Sequence, residues 1–331
     1  MTIATRMVAA SFVAAVEAER ILSTGGLVAF PTETVYGLGA DATNGNAVAR
    51  LYAAKGRPSF NPLIAHVSDL DAAKRIAVFD AAAQRLAATF WPGPLTLVLK
   101  RHTNCPVSEL ATAGLDSIAV RVPDHEVARS ILKRLGRPVV APSANRSGHV
   151  SPTTAQHVLD DLGGVIELIV DGGPASVGVE STIVAFLDRP TLLRPGGLPR
   201  EQIEAVLGTP LESPPAGSLN AETPLAPGML ESHYAPRASL RLRADRVEPG
   251  EALLAFGPKL PPGAEQASMV LNLSPGGDLV EAAANLFSDL RTLDRSDVAM
   301  IAVMPVPDEG LGEAINDRLA RAAAPRETPS A

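Results

Sequence analysis

The sequence predicts an α/β protein of two domains, an open twisted sheet in the N-terminal region and a smaller α/β unit after it. Short apolar segments of strand length alternate with segments whose apolar residues recur at helical spacing. Residues 206–237 interrupt this alternation with six prolines and three glycines, which is typical of a semi-rigid linker. At roughly 100–200 residues per domain, we expect domains at residues 1–205 and 238–331, joined by the linker at 206–237.

The first predicted helix spans residues 10–23. Its bulky residues recur at helical spacing, and charged residues follow at once, at Glu17, Glu19 and Arg20. The short apolar run after Arg6 also resembles a signal peptide, but the helical spacing and the charges favour an amphipathic first helix of a cytosolic protein. The bulky residues that show this spacing are Val8, Phe12, Val16 and Leu22.

The remaining elements follow from the same two periodicities. In the first domain we predict strands at 27–30, 63–67, 96–99, 117–122, 138–140, 165–170 and 182–186, and helices at 47–54, 81–90, 127–135 and 154–162. In the second domain we predict strands at 252–256, 268–271 and 298–303, and helices at 279–293 and 311–324.

The net charge of −7 is unevenly distributed along the chain. Residues 1–205 carry 19 basic and 19 acidic side chains, whereas residues 206–331 carry 10 and 17. An acidic protein is a poor candidate for coating nucleic acid by charge alone, because such binding needs a basic face. The neutral first domain can still hold a discrete cationic pocket.

Cysteine content and hydropathy narrow the class of protein further. Cys105 is the single cysteine, which excludes an intrachain disulfide and a CxxC zinc or redox site and fits a reducing cytoplasm. No apolar run approaches the roughly 18–20 residues that cross a bilayer, so we expect no membrane association.

The segment FPTETVYGLGADAT at residues 30–43 places hydroxyl groups, among them that of Thr34, between a buried strand and two glycines. Such a backbone can bend closely around a ligand, although an ordinary strand and turn would have the same composition. Its GxGxxA pattern also suggests a dinucleotide-binding oxidoreductase. However, Asn44-Gly45 interrupts the required helix, and the expected ribose-binding acid is replaced by cations.

The segment KGRPSFNPL at residues 55–63 contains Lys55, Arg57 and Asn61. A lysine followed by Gly56 is what helix capping alone produces. The second cation, held between prolines, is typical of a site that grips phosphate or carboxylate. His66 lies on the next predicted strand and faces away from Leu63 and Ala65, and a lone histidine there is more often structural.

Further polar residues follow or interrupt later strands. Arg121 lies mid-strand, where an unpaired charge is costly, so it meets either an internal carboxylate or an anionic ligand. The segment APSANRSG follows a strand directly, and ligands bind at such strand ends in α/β sheets. The candidates in these segments are Ser117, Ser143, Asn145, Ser181 and Arg194.

The sequence lacks a Walker phosphate loop, a GxSxG nucleophile elbow, an HExxH motif and any Cys/His cluster. We therefore expect a polar, cation-lined pocket for an anion, with no nucleophile and no protein-bound metal.

The ordered set PTETVYGLG, KGRPSFNPL, SIAVRVP, PSANRSG and ESTI resembles the YrdC-type L-threonylcarbamoyladenylate synthase family. The later segments PGMLESHYAP, GDLVEAAANLFSDLRTLD and GLGEAINDRLARAA resemble the long, two-domain form of that family. The resemblance implies a YrdC-like first domain, a linker over the active site and a small Rossmann-like second domain.

The resemblance also implies the reaction. Threonine, bicarbonate and ATP, with Mg²⁺ accompanying the ATP, would become threonylcarbamoyl-AMP and pyrophosphate. This nucleotidyltransferase activity would supply the threonylcarbamoyladenosine modification at position 37 of tRNAs reading ANN codons, through a hand-off to the tRNA threonylcarbamoyltransferase machinery in the cytoplasm.

The family pattern further implies roles for matching residues. It assigns threonine to Thr34, His66, Arg121, the backbone near Ala141, and Ser181. It assigns the nucleotide to Arg57, Asn61, Ser117, Ser143, Asn145, Ser151, Arg194 and Tyr234. Lys55 and Arg57 would stand beside the reacting groups and offset developing charge.

A tRNA or double-stranded RNA binding module is the main alternative. The neutral first domain and the small number of tyrosines and tryptophans, three and one, count against it, because RNA recognition uses basic surfaces and stacking. Contact with tRNA stays open but is not required for the synthase reaction.

Overall fold

The computed structural model describes residues 3–214, 234–296 and 298–324. It confirms an α/β fold in which two sheets are covered by helices. The strands are β1 (Arg6–Ala9), β2 (Val28–Phe30), β3 (Gly37–Asp41), β4 (Ile64–His66), β5 (Leu95–Lys100), β6 (Ser117–Arg121), β7 (Val139–Val140), β8 (Leu168–Asp171), β9 (Thr182–Ala185), β10 (Thr191–Arg194), β11 (Ser239–Arg241), β12 (Ala252–Ala255), β13 (Val270–Asn272) and β14 (Met300–Val303). The helices are α1 (Phe12–Ser23), α2 (Gly45–Lys55), α3 (Leu70–Lys74), α4 (Ala81–Phe90), α5 (Glu126–Leu135), α6 (Ala155–Leu162), α7 (Arg200–Leu207), α8 (Leu279–Asp294) and α9 (Leu311–Ala323).

The first ten strands form one mixed sheet in the order β1-β8-β2-β3-β7-β4-β6-β5-β9-β10. In its middle, β4 runs parallel to β6 and antiparallel to β7. The last four strands form a parallel sheet in the order β11-β14-β12-β13, with α8 and α9 packed together beside it.

Several short elements escaped the sequence prediction. Strands β1, β3, β10 and β11 and helices α3 and α7 are present in addition to the predicted ones. The segment of β3 is the ordinary strand that the sequence left open as an alternative: Gly37 and Gly39 pair with β2, and Ala40 and Asp41 pair with β7. Gly39 lies so close to the ring of Phe30 that a Cβ there would be 2.6 Å from it, which explains the glycine by close packing.

The predicted apolar face of α1 was only partly right. Leu22 is buried as predicted, but Phe12 is 70% exposed and Val16 is also exposed, and the other buried side chains are Ala14, Ala15 and Ala18. Val8 belongs to β1 rather than to the helix. The small alanines face inward because α1 packs closely against α5, an arrangement that hydrophobicity alone does not predict.

The two sheets meet through a shared hydrophobic cluster. Val35, Val150 and Val179 of the first domain pack in the same cluster as the inner faces of α8 and α9. Across this boundary, Arg291 of α8 donates to the backbone carbonyl of Val150. Its guanidinium also contacts Asp161 at 2.9 Å.

Parts of the predicted linker are visible at both of its ends. α7 extends to Leu207, and Leu192 of β10 donates its backbone N–H to the carbonyl of Glu212. The segment 215–233, which includes most of that linker, lies outside the described residues. Within the described ranges, no helix combines the length and the apolar character that a membrane span requires.

Candidate functional site

A buried cavity lies where β4, β6 and β7 of the large sheet approach the second domain. Its volume is about 50 Å³. The polar side chains of its lining are those of Thr34, Arg57, His66, Arg121, Ser143, Glu180, Ser181, Arg194 and Tyr234, joined by Val35, Ile64, Ala141 and Pro142.

Strand pairing places His66 beside Arg121. The two residues are register partners on the parallel strands β4 and β6, so their side chains leave the same face of the sheet. Leu63 and Ala65 point to the opposite face, into the main hydrophobic core. Burial, and after it the charge of Arg121, lowers the pKa of His66 to about 3, so the imidazole is neutral at physiological pH.

Arg121 is both ion-paired and part of the cavity wall. Its Nη2 donates to Oε1 of Glu33 at 2.6 Å, and both side chains are buried. The sequence left a choice between an internal carboxylate and a ligand for this arginine, and the structure shows the carboxylate while leaving the side chain on the cavity. Glu33 lies inside the quoted PTETVYGLG segment but was not singled out.

The loop before β3 is held by its own hydroxyl groups. Thr32 Oγ1 donates to the carbonyl of Val35 at 2.6 Å and lies 2.9 Å from the hydroxyl of Thr34. Beyond it, Gly37 pairs with Ser143, and a Cβ on Gly37 would lie 3.2 Å from that of Ala141. The glycines thus bring two polar loops together, and the antiparallel pairing of β2 and β3 is not the βαβ unit of a dinucleotide fold.

Helix α2 ends at the left-handed Gly56, as its capping pattern predicts. Because of this turn, the side chains of Lys55 and Arg57 make different contacts. Lys55 is 3% exposed, and its Nζ donates to the carbonyls of Ser143 and Asn145, each at 2.6 Å. Burial, together with the charge of Arg57, lowers the pKa of Lys55 well below its usual value. Lys55 therefore contacts the backbone of the 143–145 loop and stabilises its conformation.

Arg57 and Arg194 face the cavity from two sides. Arg57 donates to the carbonyls of Asn61 and Pro62, at 3.3 and 3.1 Å, and Arg194 donates to the carbonyl of Ser181 at 2.9 Å. Burial lowers the pKa of Arg57 to about 10 and also lowers that of Arg194, so both stay charged at neutral pH. No carboxylate of the described chain lies within ion-pair distance of Arg57, which favours an anionic ligand there.

Glu180 and Ser181 also line the cavity. Ser181 Oγ lies 2.7 Å from the hydroxyl of Thr96. Glu180 accepts from Ser151 Oγ at 2.5 Å and from Arg318 Nε of the second domain at 2.8 Å. Glu180 was visible in the ESTI segment but was not proposed, and nothing in the sequence pattern pointed to Arg318.

Tyr234 closes the cavity from the second domain. Its ring is 1% exposed and stacks on Phe287 of α8, with centroids 5.4 Å apart and planes inclined by 25°. Its backbone takes a left-handed φ of 63°, which a tyrosine adopts only where its surroundings impose it. Burial raises the pKa of the Tyr234 hydroxyl, so it is protonated at neutral pH.

Four predicted nucleotide residues lie next to the cavity lining rather than in it. The backbone carbonyl of Asn61 accepts a hydrogen bond from Arg57, and Ser117 is the first residue of β6. Asn145 binds Lys55 through its carbonyl, and Ser151 binds Glu180. The buried Asn61 Oδ1 has no hydrogen-bond partner among the described residues, which is uncommon for a buried polar atom.

The fold and the cavity define an α/β protein with a buried, cation-lined pocket for small anionic substrates. Residues 20–196 match the family model Sua5_yciO_yrdC, described as "Telomere recombination", and residues 198–324 match Sua5_C, described as "Threonylcarbamoyl-AMP synthase, C-terminal domain". The chain belongs to the Sua5/YciO/YrdC family, in its long two-domain form.

Curated relatives and solved structures agree with this membership. The threonylcarbamoyl-AMP synthase of Pyrococcus abyssi is 44% identical over 315 residues, covering 90% of each chain. That of Bacillus subtilis is 42% identical over 323 residues, covering 94% of this chain and 93% of the relative. The crystal structure of P. abyssi Sua5 complexed with L-threonine has a TM-score of 0.86 at 39% identity and covers 98% of both chains.

Proposed function

We propose that this protein is a threonylcarbamoyl-AMP synthase, which makes threonylcarbamoyl-AMP and pyrophosphate from L-threonine, bicarbonate and ATP. One observation carries the proposal: a single buried cavity joins a neutral His66 and an ion-paired Arg121 at one wall to Arg57 and Arg194 at another. The first pair suits a small zwitterion such as threonine. The second suits the phosphates of a nucleotide.

Threonine occupies the wall formed by Thr34, His66, Arg121, the backbone at Ala141, and Ser181. Arg121 is held by Glu33, so its remaining N–H groups can donate to the threonine carboxylate without moving. His66 is neutral and offers one donor and one acceptor nitrogen to the polar groups of the substrate.

ATP occupies the side of Arg57 and Arg194, under Tyr234, and enters as its Mg²⁺ complex. Further residues of this half of the site contact the nucleotide directly or hold the loops that do. They are Asn61, Ser117, Ser143, Asn145 and Ser151. Lys55 fixes the Ser143 and Asn145 carbonyls and so sets the shape of the nucleotide loop.

The reaction needs positioning and charge more than a protein nucleophile. The α-amino nitrogen of threonine forms a C–N bond with the carbon of bicarbonate, water leaves, and a carbamate results. A carbamate oxygen then attacks the α-phosphorus of ATP, and the bond from that phosphorus to the bridging oxygen breaks as pyrophosphate departs. Arg57 and Arg194 stabilise the charge that accumulates on the phosphoryl oxygens. Because the AMP group of ATP is transferred to the carbamate, the protein is a nucleotidyltransferase.

Three wider assignments belong to the same proposal. Residues 206–237 act as a linker over the active site between a catalytic domain at 1–205 and a second domain at 238–331. The short-lived product passes to the tRNA threonylcarbamoyltransferase machinery for modification of adenosine 37. The enzyme acts in the cytoplasm, where ATP and tRNA are both present.

The direct test is incubation with ATP, threonine and ¹³C-bicarbonate, followed by mass spectrometry of the nucleotides and an assay of pyrophosphate. We expect a labelled threonylcarbamoyl adenylate that requires all three substrates. Arg57→Ala should lose it, while Arg189→Ala, a change at a surface arginine whose side chain is 78% exposed, should retain it. Pyrophosphate release that is independent of threonine, or no adenylate from the wild-type chain, would refute the proposal.

A further inference from the structure

Arg318 of α9 is the largest fully buried side chain of the described residues, although it carries a charge. Its guanidinium donates from Nε to Glu180 Oε2 at 2.8 Å and from Nη1 to Asp317 Oδ2 at 2.6 Å. Arginine is almost never fully buried unless it is paired, and here one partner belongs to the opposite domain and lines the candidate active site.

The guanidinium also contacts the residue that closes the cavity. Its central carbon lies 5.3 Å from the ring centroid of Tyr234, within the range of a cation–π interaction. The same ring stacks on Phe287. Two side chains of the second domain therefore fix the position of Tyr234 over the cavity.

Glu180 stands between two arginines. Burial by itself would raise the pKa of this carboxyl, but the charges of Arg318 and Arg194 and the hydrogen bonds from Ser151 and Arg318 outweigh it and hold the pKa at about 2. The carboxylate is therefore ionised in the cavity wall, where phosphate groups would be repelled unless its charge is neutralised. Arg318 supplies that neutralisation from the side remote from the cavity.

Removal of Arg318 would leave Glu180 with a single cationic neighbour among those that hold its pKa down. That neighbour is Arg194, whose guanidinium lines the cavity and already bonds the carbonyl of Ser181. Without Arg318, the negative charge of Glu180 in the cavity wall would be only partly compensated and would oppose the binding of phosphate groups.

We propose that Arg318 is a positioning residue for the nucleotide: it neutralises Glu180, so that this carboxylate of the cavity wall does not repel the phosphates, and it holds the ring of Tyr234 in the cavity lining. This inference rests on the proposed function and gives the second domain a role within it. On the threonine side, Arg121 is paired with Glu33 rather than with Glu180, so we expect the larger effect on ATP.

Arg318→Met tests the proposal, because methionine keeps an apolar stem under Tyr234 and removes the charge. We expect KM for ATP to rise about tenfold or more while KM for threonine changes by less than about twofold. The double variant Arg318→Met/Glu180→Gln removes the unpaired carboxylate as well and should recover most of the affinity for ATP. A merely structural role of Arg318 would not be rescued by the second substitution.

Arg200→Met is the matched control. Arg200 also joins the two domains through a two-bond contact with a glutamate of α9, Glu313, at 3.0 and 2.6 Å, but it does not line the cavity. We expect it to leave KM for ATP unchanged within about twofold. If Arg318→Met folds poorly, Arg318→Gln, which also removes the charge, takes its place in the same comparison.

Several outcomes would overturn the inference. These are an unchanged KM for ATP in Arg318→Met, equal losses for ATP and threonine, or a double variant no better than the single one. ATP affinity measured by calorimetry on the full chain keeps this test separate from the proposed reaction. A wild-type protein that makes no adenylate refutes the function, whereas a wild-type protein that makes it and an Arg318→Met variant with normal ATP affinity refutes only the inference.

Discussion

Glu33 and Arg121 form a buried ion pair across 88 residues of sequence, with Nη2 and Oε1 2.6 Å apart. The second carboxylate oxygen of Glu33 accepts from the backbone N–H of Asp124 at 3.0 Å, so the pair also fixes the segment that follows β6. The arginine is therefore pre-oriented before any substrate arrives, which lowers the entropy cost of binding an anion.

Glu33→Gln should lower both the affinity for threonine and the free energy of unfolding. Loss of the negative partner leaves Arg121 buried with its charge uncompensated, a change that costs about 3 kcal/mol or more in comparable pairs. KM for threonine should rise about tenfold, with a smaller effect on ATP. Urea unfolding and steady-state kinetics measure both quantities. Glu17→Gln removes the half-buried partner of the exposed Arg6 and should cost less than about 1 kcal/mol; equal losses in the two variants would contradict the assignment.

Lys55→Met should distinguish a supporting lysine from one that touches the reacting groups. The substitution leaves the buried carbonyls of Ser143 and Asn145 without their donor, which costs about 1–3 kcal/mol and loosens the nucleotide loop. We expect the affinity for ATP to fall with stability, whereas a lysine acting only on the transition state would lower kcat alone. Calorimetric titration with ATP and thermal unfolding separate the two cases, and Lys133→Met on the exposed face of α5 serves as control.

His66 should make folding stability depend on pH without itself titrating in the native protein. Its native pKa is about 3, below an unfolded value of 6.5, so the unfolded state binds more protons between those values. Its contribution to stability is fully present above pH 6.5 and is lost as the pH falls toward 3. Compared with the wild type, His66→Gln should flatten the pH dependence of unfolding below pH 6 by about 1.4 kcal/mol per pH unit.

Two measurements check this expectation. Urea unfolding of both proteins at several pH values between 7 and 5 gives the difference in slope. The ring proton shifts of His66 in NMR spectra should stay constant over the same range. An imidazole that titrates in the native state near pH 6 would contradict its assignment as a neutral partner of the substrate.

Local sequence patterns were sufficient to predict most of the long helices and strands and several of the cavity residues. The alternation around His66, the left-handed Gly56 and the polar loop at Ser143 are each decided within a few residues, so the sequence alone predicts them. The short strands β1 and β10 were missed because four residues at a sheet edge carry too little periodicity to stand out.

The partners of the cavity residues could not be predicted in this way. Glu33 meets Arg121 across 88 residues and Glu180 meets Arg318 across 138, so each pair depends on the completed topology. A carboxylate within a polar loop has the same composition whether it is solvated or buried against an arginine. The predicted face of α1 was only partly right for a related reason, because tight packing against α5 selects alanines and leaves Phe12 exposed.

Gly178→Ala should loosen the second domain from the cavity. Gly178 adopts a φ of +80°, and a Cβ there would lie 2.3 Å from the carbonyl oxygen of Ala283 and 2.4 Å from the Cα of Ala284. Both are backbone atoms of α8 and cannot turn away, so α8 must move, and with it Phe287 beneath Tyr234. We expect a stability loss of about 3 kcal/mol or more and a larger loss of affinity for ATP than for threonine.

Gly173→Ala is the control that isolates the packing contribution. Gly173 has nearly the same backbone angle, +82°, but a Cβ there meets no atom within 4 Å. It should therefore cost only the strain of a left-handed alanine, about 1 kcal/mol, and leave both substrate affinities unchanged. Unfolding curves and calorimetric titrations of the two variants give the comparison. If Gly178→Ala were no worse than Gly173→Ala, α8 would be free to shift without disturbing Tyr234, and the second domain would have no hold on the nucleotide side of the cavity.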